Sequence, residues 1–489
     1  MYRFCLLILL CLCAAFTKCD NDNNKQKLPL CGTCTCVFDN DQLPAKVNCK
    51  DDVTRLLQAE STWINPLNNQ SYEYSELTLT NQEIMFLNFT FPTSKLTYLS
   101  ITNSEVYRIV NSPFKNLENM VTLILSNNGL DLLMPDSFKG LYMEERYMPL
   151  RSLKELRLDH NNLHTLNMNL FEHTTDLEIL DLSYNPLKVI DKHTTIAIDS
   201  LPFLKELYLG YTQIKTLPDQ IMHTPIQLSI LDLSGNPIEE IPETLGESHN
   251  LTTLYLNDTG FINITKNSGF PEMPSLKNLY LCNLRNLERI ESESLSGLSG
   301  LQELHICNNI KLTHIDDFAI AKINEHGGAT WPMIKKLNLF DNKLGYIDSD
   351  FLSRWDLLTY LNINDNPWTC ECENQWLIED LMPTYKKINP ENANSVKCGA
   401  PIEMNGEHFI DLYERQYKMR CLDIYGAKPE QDAFMLVGVL IGVLIALPAI
   451  LFIIFAYQRR WFGLFNMCDN SPAAYTRRFY SSTPRDEDF

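Results

Sequence analysis

Four stretches of this chain lie over one another without a gap: LKELRLDHNNL (153–163), LEILDLSYNPL (177–187), LSILDLSGNPI (228–238) and IKKLNLFDNKL (334–344). Each has apolar residues at positions 1, 4, 6 and 11 and asparagine at position 9. The same frame, more loosely kept, fits stretches beginning at Tyr74, Leu96, Met120, Leu204, Leu251, Leu276, Leu301 and Leu358. The twelve starts lie 22–27 residues apart, except for two intervals of 33. A period of this length specifies a stack of similar supersecondary units rather than a closed globule.

The frame carries its own physics. Positions 4 and 6 alternate with 5 and 7, a period of two, so a short strand is expected at the middle of each unit. The apolar positions then point inward, and only stacking against the turns on either side gives them a core. Asn at position 9 turns inward as well, where its amide can satisfy backbone groups left unpaired at the strand end. Thr212, Thr259 and Leu284 replace it, so a weaker ladder is expected there. The long intervals contain MEERYMP (143–149) and KINEHGGATWP (322–332), expected as loops bulging from the rim.

The ends of the chain set its compartment. Residues 1–19 place Arg3 before a short apolar run, the pattern of a secretory signal peptide. Residues 433–457 carry no charge, long enough as a helix to cross a bilayer, with Arg459 and Arg460 directly behind them. Positive charge on that side puts the N-terminal part outside and predicts a single-pass protein of type I orientation at the plasma membrane. The formal net charge of −20 belongs almost wholly to the segment between the two apolar runs. Such an ectodomain disfavours nucleic acid, heparin-like polymers and anionic lipid as partners.

Cysteines bracket the repeats. Upstream stand Cys31, Cys34, Cys36 and Cys49; downstream stand Cys370, Cys372, Cys398 and Cys421. CGTC read alone looks like a redox motif, but four closely spaced cysteines in a secreted chain favour a disulfide knot; each set of four allows three pairings. Within the repeats, Cys282 and Cys307 both occupy position 7 of consecutive turns. Adjacent strands lie about 4.8 Å apart, within the range a disulfide spans, so a bridge is expected. Separate thiols, or a zinc site that also takes His305, are the alternatives.

Repeats and cysteine sets together resemble the extracellular leucine-rich-repeat family, single-pass members with cysteine-rich flanking caps. The resemblance implies an α/β-type solenoid, a horseshoe of about twelve repeats with a parallel concave sheet, two disulfide caps and one transmembrane helix. It implies the cap bonds Cys31–Cys36, Cys34–Cys49, Cys370–Cys398 and Cys372–Cys421. The expected order is signal peptide 1–19, N-terminal segment with cap 20–73, repeats 74–365, C-terminal cap 366–422, stalk 423–432, membrane helix 433–457 and cytoplasmic tail 458–489.

No phosphate loop, nucleophile elbow or kinase signature occurs, and HNNLH (160–164) falls at a strand end and loop rather than on a helix. The chain reads as a non-enzyme without metal or cofactor. Binding is expected on the concave face at outward positions 3, 5, 7 and 8. Tyr208, Tyr255 and Tyr280 stand at position 5, Tyr184 and Tyr211 at position 8. Exposed tyrosine favours protein contacts, although tyrosine also simply suits strands. Glu155, Glu206 and Glu303 at position 3 suit a partner of basic character. Glycosylation acceptors occur at Asn69, Asn88, Asn250, Asn257 and Asn263. A glycan on Asn257 would shield Tyr255 and Tyr280 and leave the Tyr184–Tyr208–Tyr211 side open. Gly438, Gly442 and Ala446 form a small-residue stripe that predicts a membrane-helix dimer. The function expected is protein–protein recognition at the cell surface, as adhesion or cell–cell recognition. The alternative is a ligand-binding receptor or co-receptor that signals through a partner chain.

Overall fold

The computed structural model describes residues 28–39, 42–419 and 429–458. The segments expected as signal peptide, 1–19, and as tail beyond Gln458 lie outside these residues, as does Cys421.

Each of the twelve repeat starts contributes one strand, from Tyr74–Thr80 to Tyr360–Asn362, and all of them join one parallel sheet. The cap strand Gln42–Cys49 precedes them in the same sheet, and Thr35–Asp39 closes its edge antiparallel. Register is kept without slippage through the central turns: Leu156, Leu180, Leu207, Leu231 and Leu254, all at position 4, are direct strand neighbours. Leu153, Leu156, Leu158 and Leu163 are fully buried, as the frame requires of positions 1, 4, 6 and 11. Away from the sheet, Phe91, Phe114 and Phe138 stack through the interior at 6.1 and 6.2 Å.

Buried asparagines tie the turns together. Asn185 donates to the carbonyls of Leu158 (2.8 Å) and Leu182 (2.9 Å), and its Oδ1 accepts from Leu163 N. Asn161 and Asn236 repeat the pattern. Where the ladder lapses, Thr212 and Thr259 each donate a hydroxyl to one carbonyl, Leu209 and Leu256. Leu284 offers nothing, and its N–H is taken by Asn309 of the next turn.

The two long intervals differ from the loops expected of them. Tyr142–Met143 pairs with Arg146–Tyr147, and Lys322–Ile323 with Ala329–Thr330, each as a small antiparallel hairpin. In the first, Glu144 and Glu145 both adopt positive φ, the backbone of a tight two-residue hairpin turn.

The N-terminal cap holds the bonds Cys31–Cys36 and Cys34–Cys49. Behind it Trp63 packs edge-on against Tyr74 and Phe91. In the C-terminal cap Cys370 is bonded to Cys398 and Cys372 is also in a disulfide. Separately, Pro429–Gln458 forms one helix, of which Phe434–Ala456 is long and apolar enough to cross a membrane.

Candidate functional site: the outward face of the sheet

Alternation sends positions 3, 5, 7 and 8 of every turn to the solvent side, so each position becomes a row across the sheet. Two rows carry aromatic stacks. At position 8, the rings of His160, Tyr184 and Tyr211 lie parallel, with centroids 4.1 and 4.5 Å apart. At position 5, Tyr255, Tyr280 and His305 stack at 4.5 Å each. The five tyrosines singled out by position therefore form two stacks rather than one cluster, with Tyr208 outside both. Sequence reasoning missed both histidines as members of the stacks; the signal was their place in the same rows.

Backbone geometry builds the first stack. His160, Tyr184 and Tyr211 all have φ near +55°, which lays each ring along the solenoid axis. Gly235 continues the row, and a Cβ there would stand 2.2 Å from the Tyr211 ring, so only glycine lets that ring lie flat. Tyr211 then reaches two turns on, donating its hydroxyl to Asp258 Oδ2 at 2.9 Å. Burial and this carboxylate push its pKa up to about 12. Tyr184 and Tyr211 remain 46% and 39% exposed, so their edges are available to a partner. Tyr208 donates to Glu206 Oε2 at 2.7 Å; burial and that acceptor raise its pKa well above the tyrosine range. In the second stack burial holds His305 below the ordinary imidazole range, against an opposing pull from Glu303.

Charge is distributed unevenly on this face. Arg157 at position 5 bonds Glu155 at 2.6 Å and reaches Asp181 of the next turn at 3.5 Å. Lys336 pairs with Glu303 at 2.8 Å, and Glu178 on the flank sits between Lys154 and Lys205. Among the described residues, Glu206, Asp232 and Asp258 have no lysine or arginine partner.

Cys282 and Cys307 are bonded to each other, with Cα atoms 4.5 Å apart, while the His305 ring rests on Tyr280. His160 bonds Asp159 and His164 bonds the Pro186 carbonyl, so the two histidines of HNNLH do not converge. Asn257 is on this face, its Oδ1 accepting from Cys282 N at 2.9 Å. Asn69, Asn88, Asn250 and Asn263 are exposed, the last in a small strand of a second sheet formed with Arg289–Ile290 and His314–Ile315. Gly438, Gly442 and Ala446 are exposed along the separate apolar helix.

Comparison with known proteins follows the same lines. Residues 151–205 and 227–248 match models described as leucine rich repeats. CD180 antigen of Mus musculus is 23% identical over 322 residues, 65% of this chain and 42% of that protein. Toll-like receptor 2 of the same species is 23% identical over 269 residues, 54% of this chain and 31% of that one. The chain thus spans less than half the length of either relative. The crystal structure of the mouse RP105/MD-1 complex is similar with a TM-score of 0.49 and 20% identity, covering 69% of this chain and 58% of that one. The repeat frame, the parallel solenoid with its cysteine-bearing caps and the matched segments make this chain a leucine-rich-repeat protein.

Proposed function

We propose that this chain is a cell-surface recognition protein, held by its apolar helix with the solenoid outside, that binds another protein on the outward face of its sheet. The observation that carries the reading is the pair of aromatic stacks on the outward face of the sheet, where Tyr184 and Tyr211 remain exposed. Stacked rings are already ordered, so a partner docking on them costs little further side-chain entropy. The role best supported is adhesion or cell–cell recognition through the Tyr184–Tyr208–Tyr211 side. Likeness to Toll-like receptor 2 supports a second role, a receptor or co-receptor signalling through a partner chain.

The test mixes suspended cells that display the protein with cells that do not. Clustering confined to displaying cells indicates homophilic binding; recruitment of the others indicates a different surface protein. Gly210→Asn writes the acceptor Asn-Tyr-Thr into position 7, where an added Cβ meets nothing closer than 3.4 Å. A glycan there should abolish clustering at unchanged surface display, and undiminished clustering would rule out this face. Loss of clustering on truncation after Gln458 would favour the receptor role over the adhesive one.

A further inference from the structure

Two pairs of turns on this face are near copies. LKELRL (153–158) and the following LEILDL (177–182) correspond to LKELYL (204–209) and the following LSILDL (228–233). In the first pair, Glu155 at position 3 and Asp181 at position 5 of the next strand hold Arg157 between them. In the second pair the same two positions are Glu206 and Asp232, but Tyr208 stands where the arginine was. The carboxylates have been kept and their cation has not.

We infer that Asp232, between Tyr208 and Tyr255, and Glu206, whose Oε2 accepts from the Tyr208 hydroxyl, form a seat for an arginine side chain on a loop of the partner protein. The inference rests on the proposal that this face binds a protein. Register makes Asp232 the direct neighbour of Tyr208 on one side and Tyr255 on the other. With strands about 4.8 Å apart, the two tyrosine positions are separated by about 9.6 Å, room for one planar group above the carboxylate. Tyr255 stacks on Tyr280 with one ring face, so the other looks toward Asp232. Ser234 N donates to Asp232 Oδ1 at 2.9 Å and fixes that carboxylate in place. Asp258, held by Tyr211, adds a third negative charge along the flank. Every other carboxylate described above on this face has a cation or a histidine from the sheet itself beside it. A guanidinium fits better than an ammonium, because its planar fork can bond both carboxylates while its faces meet the rings.

The experiment uses the full chain in neutral detergent micelles and a fluorescein-labelled peptide of alternating glycine and arginine, read by anisotropy. Matched peptides carry lysine or the uncharged isostere citrulline. The arginine peptide should bind, the lysine peptide several-fold more weakly, and the citrulline peptide not at all. Glu206→Gln with Asp232→Ala should weaken binding at least tenfold, whereas Glu239→Gln with Glu240→Gln, exposed and off the sheet, should leave it unchanged. Tyr208→Arg rebuilds the trio of the first pair and should block the peptide from within, in a protein whose thermal unfolding is unaltered. Absence of binding to the unmodified chain, equal loss in both double variants, or undiminished binding to Tyr208→Arg would each overturn the seat. Clustering that is lost in Gly210→Asn but survives in Tyr208→Arg would sink the seat while leaving the binding face standing.

Discussion

A buried amide destabilises a fold unless its donors and acceptor are all used, and position 9 is where this solenoid uses them. Asn185 is 1% exposed and bonds four backbone groups on two turns. Asn185→Ala leaves those groups unpaired, and the expected cost is about 2–4 kcal/mol, read from chemical denaturation. A loss within error would show that water replaces the amide. His305 makes a second prediction. Its pKa is lowered by burial against Tyr280, with Glu303 and Lys336 as the charged neighbours. A depressed pKa contributes stability above the unfolded value near 6.5 that is lost as pH falls through the folded one. Stability should therefore drop on acidification below about pH 6.5, less steeply in His305→Phe, which keeps the stack without the titration. Equal slopes would assign the acid loss to other groups. The tyrosine rows were legible in the sequence because a period of two fixes which residues face out. The stacking at position 8 was not, because it depends on positive φ at His160, Tyr184 and Tyr211, which no side-chain pattern encodes.

Among the elements, the strands were legible and the insertions were not. Leucine spacing dictates a strand wherever the frame recurs, whereas MEERYMP has no frame and its fold is decided by the turn at Glu144 and Glu145. The aromatic spine through Phe91, Phe114 and Phe138 also went unread, since it occupies the variable part of the repeat where spacing drifts. The apolar helix is a case where pattern and structure meet at once, with Phe434–Ala456 uninterrupted by charge. Along it, Gly438 and Gly442 have open space where a Cβ would stand, and Ala446 continues the same stripe. If that stripe is where two helices meet, Gly438→Leu with Gly442→Leu should at least halve proximity crosslinking between chains in a membrane. Crosslinking at the level of the parent would place the contact elsewhere or remove it.

On the scale of the whole molecule, a solenoid is stable as a sum of turns and of the interfaces between them, so its weakest interface decides where it opens. The sequence showed where to look, because Thr259 and Leu284 interrupt the asparagine ladder in consecutive turns. The structure adds what replaces it. Asn257 reaches across to Cys282 N, and Cys282 is bonded to Cys307 one turn further on. Position 9 reaches back to the preceding turn, so the gap at Leu284 lies on the interface that Asn257 bridges. The disulfide spans the next one, where Asn309 also bonds Leu281 O and Leu284 N; it clasps the turn beside the gap to its well-held neighbour. Closing a loop of 25 residues is worth about 3 kcal/mol on the chain-entropy estimate. Replacing both cysteines by serine spares the cap disulfides, which a reductant would also break. In that variant, amide exchange should accelerate first in residues 253–309, while residues 156–187, held by Asn161 and Asn185, keep their protection. Uniform acceleration along the solenoid would mean that the turns unfold as one unit and that the clasp protects no particular interface. Unchanged exchange would mean that packing and the amide bonds of Asn257 and Asn309 carry these turns without the disulfide.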